Sequence, residues 1–204
     1  MGKAEDNKRK KLNALLGSSY RLFVEQGISK TTIAQIARSA GVGKGTFYFY
    51  FHDKQELIDR LIIHKSENLL LRAMKKVRKC MSKHTDMTLE DKFICMVDEI
   101  ADALSEDSKL TSFLAKNLDA GFYVRAASDD NLLGAVDIEK EYYKIFGRDT
   151  DQWKDRGLML YSVIEFVGAT LHTIIVYDRP CTLETYRPYM HDCIRAIVGA
   201  FRVK

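Results

Sequence analysis

The sequence of 204 residues predicts an all-α fold, either as one ordinary domain or as a small domain joined to a larger one. Helix-forming residues dominate, and runs that alternate with the period of a strand are few. The chain has only two prolines, Pro180 and Pro188. Gly27 and Gly41 punctuate the first part of the chain, which is therefore divided into shorter helices.

Apolar spacing and capping residues together predict nine helices. They cover about residues 5–26, 32–39, 43–49, 53–80, 88–105, 108–118, 129–146, 151–178 and 182–202. Gly27 ends the first helix, and Asp53 is a good N-cap for the fourth because Glu56 follows three residues later. The candidate N-caps of later helices are Thr88, Thr150 and Thr182.

Charge is segregated along the chain, although the net charge is only +4. Residues 1–80 contain 17 Lys or Arg and 7 Asp or Glu, a balance of +10. Residues 81–204 contain 15 Lys or Arg and 21 Asp or Glu, a balance of −6. A solvated basic surface would explain the charge but not its segregation, so we expect the N-terminal part to meet a polyanion.

The cysteines carry no metal-site pattern. Cys80, Cys95, Cys181 and Cys193 are scattered, and no C-x-x-C motif is present. We interpret them as small apolar residues in a reducing cytoplasm, with redox sensing as the alternative. Neither a metal nor a cofactor is expected, because no His/Cys cluster has ligand spacing.

The longest apolar run covers residues 158–177. It contains Glu165 and His172, which argue against a membrane span. The charged N-terminus shows no cleavable signal pattern. A cytoplasmic protein without a membrane partner is therefore expected.

The stretch "GVGKGTFYFYF", residues 41–51, superficially resembles a phosphate-binding loop. Such a loop needs the pattern G-x-x-x-x-G-K-[ST] after a strand. Arg38 stands where the first glycine should be, and Gly45 stands where the hydroxyl should be. The preceding residues 32–40 have helical spacing rather than that of a strand. A nucleotide site at Lys44 is thus disfavoured.

The same stretch fits a helix-turn-helix better. Gly41 follows helix 32–39 at a position that needs a tight or left-handed turn, and a second short helix begins two residues later. Ala37 is small enough for two helices to cross closely, while Phe47 and Phe51 fall at interior spacings. In this motif the second helix enters the major groove of DNA.

The outward positions of the second helix suit DNA recognition. They are Lys44, Gly45, Thr46, Tyr48, Phe49 and Tyr50. Lys44 can reach guanine or phosphate, Gly45 permits close backbone approach, and tyrosine hydroxyls can bind phosphate. A small aromatic core is the alternative for Tyr48 and Tyr50. The hydroxyls of Thr31 and Thr32, and the ammonium of Lys54, are further candidates for the flanking backbone, because an anionic partner would explain a lysine in a first helical turn.

Residues 31–57, "TTIAQIARSAGVGKGTFYFYFHDKQEL", resemble the DNA-binding signature of the TetR family. Gly43 replaces the usual serine of that signature, and Phe49 replaces a frequent tyrosine. The resemblance implies DNA contacts by Thr32, Lys44, Thr46, Tyr48, Tyr50 and Lys54. Together with the residues above, the predicted contact set is Thr31, Thr32, Gly43, Lys44, Gly45, Thr46, Tyr48, Phe49, Tyr50 and Lys54.

The family resemblance implies a helix-turn-helix domain in residues 1–52 and an effector-binding, dimerising domain in 53–204, linked by helix 53–80. Helix 151–178 is apolar on two sides, so both sides must be covered. With helix 182–202 it would form a four-helix bundle about a two-fold axis. The predicted interface comprises Tyr161, Gly168, Ala169, Met190, Ile194, Ile197 and Phe201.

Glu165 and His172 lie two turns apart on helix 151–178. They are interpreted as groups at the dimer seam, with anchoring of an effector as the alternative and a catalytic role disfavoured. The candidate effector pocket comprises Phe93, Met96, Tyr123, Tyr142, Tyr143, Trp153, Glu165 and His172, although such residues are more often core.

These observations predict a homodimeric, non-enzymatic transcriptional regulator, specifically a repressor. It would bind a pseudo-palindromic DNA operator and release it when a small effector shifts the linking helix. One alternative is a DNA-binding regulator controlled by a protein partner without a small effector. The other is a nucleotide-dependent enzyme built on Lys44.

Overall fold

A computed structural model describes residues 2–117, 136–147 and 153–203, and these ranges contain nine helices. The all-α prediction is confirmed, and an isolated antiparallel bridge joins Trp153 to Arg202. The helices are α1 (Lys3–Gln26), α2 (Ile33–Ser39), α3 (Lys44–Tyr50), α4 (Lys54–Met81), α5 (Leu89–Glu106), α6 (Ser108–Asn117), α7 (Val136–Phe146), α8 (Arg156–Tyr177) and α9 (Leu183–Ala200).

Three of the predicted N-caps are confirmed by hydrogen bonds. Asp53 Oδ1 accepts from the Glu56 amide at 2.9 Å. Thr88 Oγ1 accepts from the amide three residues later at 3.2 Å, and Thr182 Oγ1 does the same at 3.3 Å. Each bond satisfies a backbone donor that has no partner within its helix.

The predicted start of helix 151–178 is wrong. α8 begins at Arg156, where Asp155 Oδ1 accepts from the Leu158 amide at 2.9 Å. Trp153 therefore precedes the helix and lies in the bridge to Arg202. Thr150, the cap predicted from the sequence, lies outside the described residues.

Two hydrophobic clusters organise the chain. The first joins α1, α2, α3, the first half of α4 and α6. Its buried residues are Leu15, Leu16, Phe23, Ile36, Phe47, Phe51, Leu57, Ile58, Leu61, Ile62, Phe113 and Leu114. The second joins the last part of α4 to α5, α7, α8 and α9. The first cluster thus extends beyond the boundary predicted at residue 52.

The helix α4 belongs to both clusters and connects them. Leu57 and Leu61 are fully buried in the first cluster, whereas Ala73 and Val77 are fully buried in the second. At about 1.5 Å per residue, the helix of 28 residues is roughly 42 Å long. A tilt of α4 would therefore move the two clusters relative to each other.

Candidate DNA-binding surface and adjoining sites

The start of α2 is fixed by a reciprocal capping box. Thr32 Oγ1 accepts from the Gln35 amide at 3.2 Å, and Gln35 Oε1 accepts from the Thr32 amide at 2.8 Å. Ile36 and Ala37 are buried beneath the helix. These bonds and contacts hold α2 against the first cluster and set the position from which the turn begins.

The turn between α2 and α3 depends on Gly41. Its φ of +68° is a left-handed conformation that residues with a Cβ adopt only at a cost. The amide of Val42 then donates to the carbonyl of Ala37 at 3.0 Å and closes the turn. The prediction of a glycine-dependent turn here is confirmed.

One face of α3 is anchored in the first cluster. Phe47 is fully buried and lies 5.4 Å from Phe51, measured between ring centroids. The opposite face is open to solvent: Lys44 and Gly45 are exposed, and Tyr48 and Phe49 are 51% and 69% exposed. Large exposed aromatic rings on a helix this well anchored indicate a binding surface.

The glycines at the start of α3 leave its backbone accessible. A Cβ built on either Gly43 or Gly45 meets no heavy atom within 4 Å. The protein's own packing therefore does not require glycine at Gly45, which lies within a helix where glycine is unfavourable. Close approach of DNA to this backbone, which the sequence analysis predicts, would be a physical reason for the residue. Thr46 is half-buried beside it.

Tyr50 is less free than predicted. It is half-buried, and its hydroxyl donates to the carbonyl of Lys8 at 2.9 Å. The prediction that this hydroxyl is available to phosphate is therefore not supported, because the proton is already donated within the chain. The hydroxyl instead holds the first half of α1 beside α3.

This contact shows a basic strip that the sequence analysis did not assign to the site. Lys8, Arg9, Lys10 and Lys11 are exposed on α1. The Lys8 ammonium lies 5.6 Å from the centroid of the Phe49 ring, at the edge of the α3 surface. The run of cations was visible in the sequence, but only the fold shows that it adjoins α3.

Two residues predicted to contact the DNA backbone, Thr31 and Lys54, have structural roles within the chain. Thr31 is 1% exposed, and its hydroxyl donates to the carbonyl of Gly27 at 2.8 Å, so its predicted DNA contact is wrong. The Lys54 ammonium donates to the carbonyls of Ile28 and Thr31 at 2.9 and 3.1 Å. These acceptors explain a lysine in the first turn of α4 without an anionic partner, and they leave one of its three N–H donors for DNA. Thr32 is exposed at the edge of the surface.

The outer face of α8 carries much of the predicted dimer interface. Tyr161 and Ile164 are each 55% exposed, and Gly168 and Ala169 are also exposed. A Cβ built on Gly168 meets nothing within 4 Å, so this position is open within one protomer. By length and composition α8 could also cross a membrane, a property it shares with core helices of soluble proteins.

The predicted interface contacts of α9 need correction. Met190 and Ile194 are fully buried in the second cluster of the same protomer, so neither can contact a partner. Ile197 and Phe201 are half-buried and pack against that cluster. The stripe of apolar residues on α9 therefore reflects the internal core, whereas Tyr189, 65% exposed, lies on the outer side.

The predicted aromatic pocket is largely a packed core. Phe93 is fully buried, and its ring centroid lies 4.6 Å from that of Phe146 with a tilt of 31°. Tyr142 stacks on Phe146 with 4.7 Å between centroids. Met96 and Trp153 are buried in the same cluster. Tyr143 lies at the margin, where Arg156 approaches its ring to 5.4 Å. Tyr123 lies outside the described residues.

Glu165 and His172 differ in their surroundings. Glu165 is exposed on the same outer side as Tyr161 and Gly168. His172 is half-buried and meets the ring of Tyr177 edge-on at 5.4 Å, and its buried Nε2 atom has no hydrogen-bond partner among the described residues. This placement favours the seam interpretation over the pocket interpretation.

A shallow groove of about 350 Å³ lies between α4, α5 and α9. Arg187 forms ion pairs there with Asp98 at 2.7 Å and with Asp102 at 2.6 Å. Cys95 and Lys76 also line it. Of the residues predicted for the effector pocket, those that the structure describes do not line this groove.

Comparison with known proteins identifies the N-terminal part. Residues 15–61 match the family model described as bacterial regulatory proteins, tetR family. The transcriptional regulator TtgR of Pseudomonas putida is 36% identical over 61 residues, a match that covers 29% of each chain and thus less than a third of that regulator's length. The fatty acid metabolism regulator protein of Bacillus subtilis (strain 168) is 22% identical over 189 residues, covering 81% of this chain and 97% of that protein.

Solved structures show that the likeness of fold extends along the chain. A TetR-family transcription regulator from Shewanella sp. PV-4 superposes with a TM-score of 0.65 at 18% identity, covering 95% of this chain and 99% of that one. FadR from Bacillus subtilis, solved with stearoyl-CoA, superposes with a TM-score of 0.60 at 16% identity, and the match covers 89% of this chain and 96% of that one. These relatives are regulators rather than enzymes, as predicted; residues 15–61 of this chain match the tetR family of bacterial regulatory proteins, and the whole chain is similar in fold to solved regulators of that family.

Proposed function

We propose that the chain is a transcriptional repressor that binds a pseudo-palindromic DNA operator as a homodimer and releases it when a small effector binds. The observation that carries the proposal is the exposed face of α3. It presents Lys44, Gly45, Tyr48 and Phe49 to solvent on a helix anchored by the buried Phe47. A lysine, an open backbone and aromatic rings on one rigid face suit the edges and backbone of a major groove.

Electrostatics supports a polyanionic partner. The cations of α1 extend the α3 surface, and no acidic residue lies among positions 8–11 or within α3. Each lysine or arginine that neutralises a phosphate releases counterions, so binding should weaken steeply as salt increases. Part of the excess positive charge of residues 1–80 therefore lies beside α3, the proposed recognition helix.

A homodimer is supported by the outer face of α8. Tyr161, Ile164 and Leu158 expose large apolar side chains on one helix, and Gly168 allows a second helix to approach closely. Such a face is typical of a protein interface. Two copies joined by this face would present two α3 helices, which is the arrangement that reads an inverted repeat.

For the effector, an acyl-CoA thioester is the first class to test. The fatty acid metabolism regulator matches over most of both chains, and FadR was solved with stearoyl-CoA. An effector can act only through a difference in its affinity for the DNA-competent and DNA-incompetent forms. Acyl-CoAs of increasing chain length should therefore release bound DNA, and a series without effect on release would favour control by a protein partner.

Selection of bound duplexes from a random DNA pool tests the proposal as a whole. The expected product is a pair of inverted half-sites, bound by a species that sediments as a dimer or a multiple of it. Recovery of a single asymmetric site would contradict the dimeric operator. Failure to enrich any sequence would contradict sequence-specific binding.

A further inference from the structure

Two thiols of the second cluster lie close together. Cys80, in the last turn of α4, and Cys95, in the middle of α5, are both half-buried free cysteines. Their sulfur atoms are 3.1 Å apart. A disulfide bond is about 2.05 Å long, so a relative movement of roughly 1 Å would suffice to join them. We propose that Cys80 and Cys95 form a redox-active dithiol, which a peroxide converts into an intrachain disulfide between α4 and α5.

The groove between α4, α5 and α9 gives access to Cys95, and Cys80 beside it is itself partly exposed. Cys95 lines this groove together with Lys76, and the groove volume of about 350 Å³ is far larger than a hydrogen peroxide molecule. Structural cysteines that are inert are usually enclosed by apolar side chains. Here the walls instead carry charged groups, including Asp98 and Glu99.

The geometry gives the two sulfurs different roles. Cys95 donates its S–H to the sulfur of Cys80. Burial, together with the hydrogen bond to Cys80, raises the pKa of Cys95 to about 12, so this thiol stays protonated at neutral pH. Cys80 is therefore the attacking sulfur. Residues 75–83 contain five lysines and arginines, so the charge in the sequence around Cys80 is positive.

The reaction balances with one peroxide. The Cys80 thiolate attacks a peroxide oxygen, the O–O bond breaks, and the departing oxygen takes up a proton to give water, leaving a sulfenic acid on Cys80. The Cys95 sulfur then loses its proton, attacks the Cys80 sulfur and forms the S–S bond, while the sulfenic oxygen leaves as water. The two thiols lose two electrons in total, and the peroxide gains them.

The disulfide would act on the helix that spans both clusters. It would join the end of α4 to α5, closing a segment of about 15 residues between Cys80 and Cys95. Closing such a segment restricts the unfolded chain and should raise the Tm of the oxidised protein by about 6–12 °C.

The experiment treats the full-length protein with stoichiometric hydrogen peroxide, blocks remaining thiols and maps tryptic peptides without reduction. The sequence predicts that residues 80–83 and 93–109 are released as one cross-linked species. Dithiothreitol should separate the two peptides and reverse the rise in Tm. The matched control, Cys181→Ser combined with Cys193→Ser, should react like the wild type, whereas Cys80→Ser and Cys95→Ala should each abolish the cross-link.

Three outcomes would overturn the proposal. Peroxide could leave both thiols free under conditions that oxidise an exposed reference thiol. It could convert Cys80 to sulfinic acid while Cys95 remains a thiol. It could also produce a different pairing, or a disulfide between two chains. Because the peptide map is made on the wild type, none of these results depends on whether a variant folds, or on whether the protein binds DNA.

Discussion

The hydroxyl of Tyr20, in α1, lies 3.4 Å from Oδ2 of Asp107, the residue between α5 and α6. The Lys65 ammonium of α4 lies 3.8 Å from the centroid of the Tyr20 ring. Phe113 of α6 meets the same ring edge-on at 5.6 Å. Since α6 also packs against α8, Tyr20 connects the first cluster to the helix proposed to form the dimer interface.

Replacing Tyr20 with phenylalanine should remove the hydroxyl contact with Asp107, keep the ring contacts and change the response to alkaline pH. Burial, with the nearby charge of Asp107, raises the pKa of Tyr20 to about 12 from 10.0. A folded-state pKa above the unfolded value gives stability that is complete below about pH 10 and is lost as the pH rises towards 12. At pH 8 the free energy of unfolding of Tyr20→Phe should therefore be lower than that of the wild type by about 1 kcal/mol. Between pH 10 and 12 the variant should lose less of this free energy than the wild type does.

Urea unfolding across this pH range checks the Tyr20 prediction. Tyr189→Phe is the matched control, because Tyr189 is 65% exposed. Indistinguishable pH profiles for the two variants would show that the Tyr20 hydroxyl makes no such contact in solution.

Gly45→Ala should separate the needs of the fold from those of DNA binding. Because a Cβ at Gly45 meets nothing within 4 Å, alanine should stabilise α3 by roughly 0.5–1 kcal/mol. If the backbone approaches DNA closely, operator affinity should nevertheless fall by about tenfold or more, or roughly 1.4 kcal/mol. Gly17→Ala in α1, at an equally open helical glycine, should stabilise the chain without changing affinity. Unchanged affinity of Gly45→Ala would place the DNA elsewhere.

Lys8→Ala should weaken binding to every DNA sequence alike. If Lys8 neutralises one phosphate, the slope of log affinity against log salt should become shallower by about one unit. The carbonyl of Lys8 that accepts from Tyr50 is retained in the variant, so α1 should keep its place beside α3. Lys116→Ala, at an exposed lysine of α6, is the control. Equal slopes for the two variants would remove α1 from the DNA-binding surface.

Gly168→Leu should weaken the dimer without disturbing the protomer. The position is open within one chain, so the added side chain would clash only with a partner helix and cost roughly 1–3 kcal/mol. Sedimentation should then show monomer at micromolar concentration, with a parallel loss of operator affinity. Gly17→Leu controls for the substitution itself. A Gly168→Leu protein that remains dimeric on high dilution would place the interface on another face.

The sequence was informative where a local rule decides the structure. Asp53, Thr88 and Thr182 cap helices as predicted, because capping involves neighbours three residues away. Gly41 has the left-handed backbone that its position in the turn indicated. The anchoring of Phe47 and Phe51 follows from their spacing within one short stretch.

The other site residues could not be assigned from the sequence, because their roles depend on contacts between parts of the chain that are far apart in sequence. The hydroxyl of Thr31 is a candidate phosphate ligand by its position in the sequence, yet it donates its hydrogen bond to the carbonyl of Gly27. Lys54 finds backbone acceptors in a loop more than twenty residues away. Met190 and Ile194 lie on an apolar stripe, and spacing alone could not tell whether that stripe faces its own core or a partner.

The most direct test of the central claim is the binding of wild type and Lys44→Ala to the selected operator and to single-base-pair variants of it. If α3 reads the major groove, Lys44→Ala should weaken the free energy of operator binding by about 1–3 kcal/mol and relax selectivity at one position in each half-site. Lys109→Ala, at an exposed lysine of α6, should behave like the wild type. A Lys44→Ala protein that keeps both the affinity and the full selectivity of the wild type would contradict the assignment of α3 as the recognition helix.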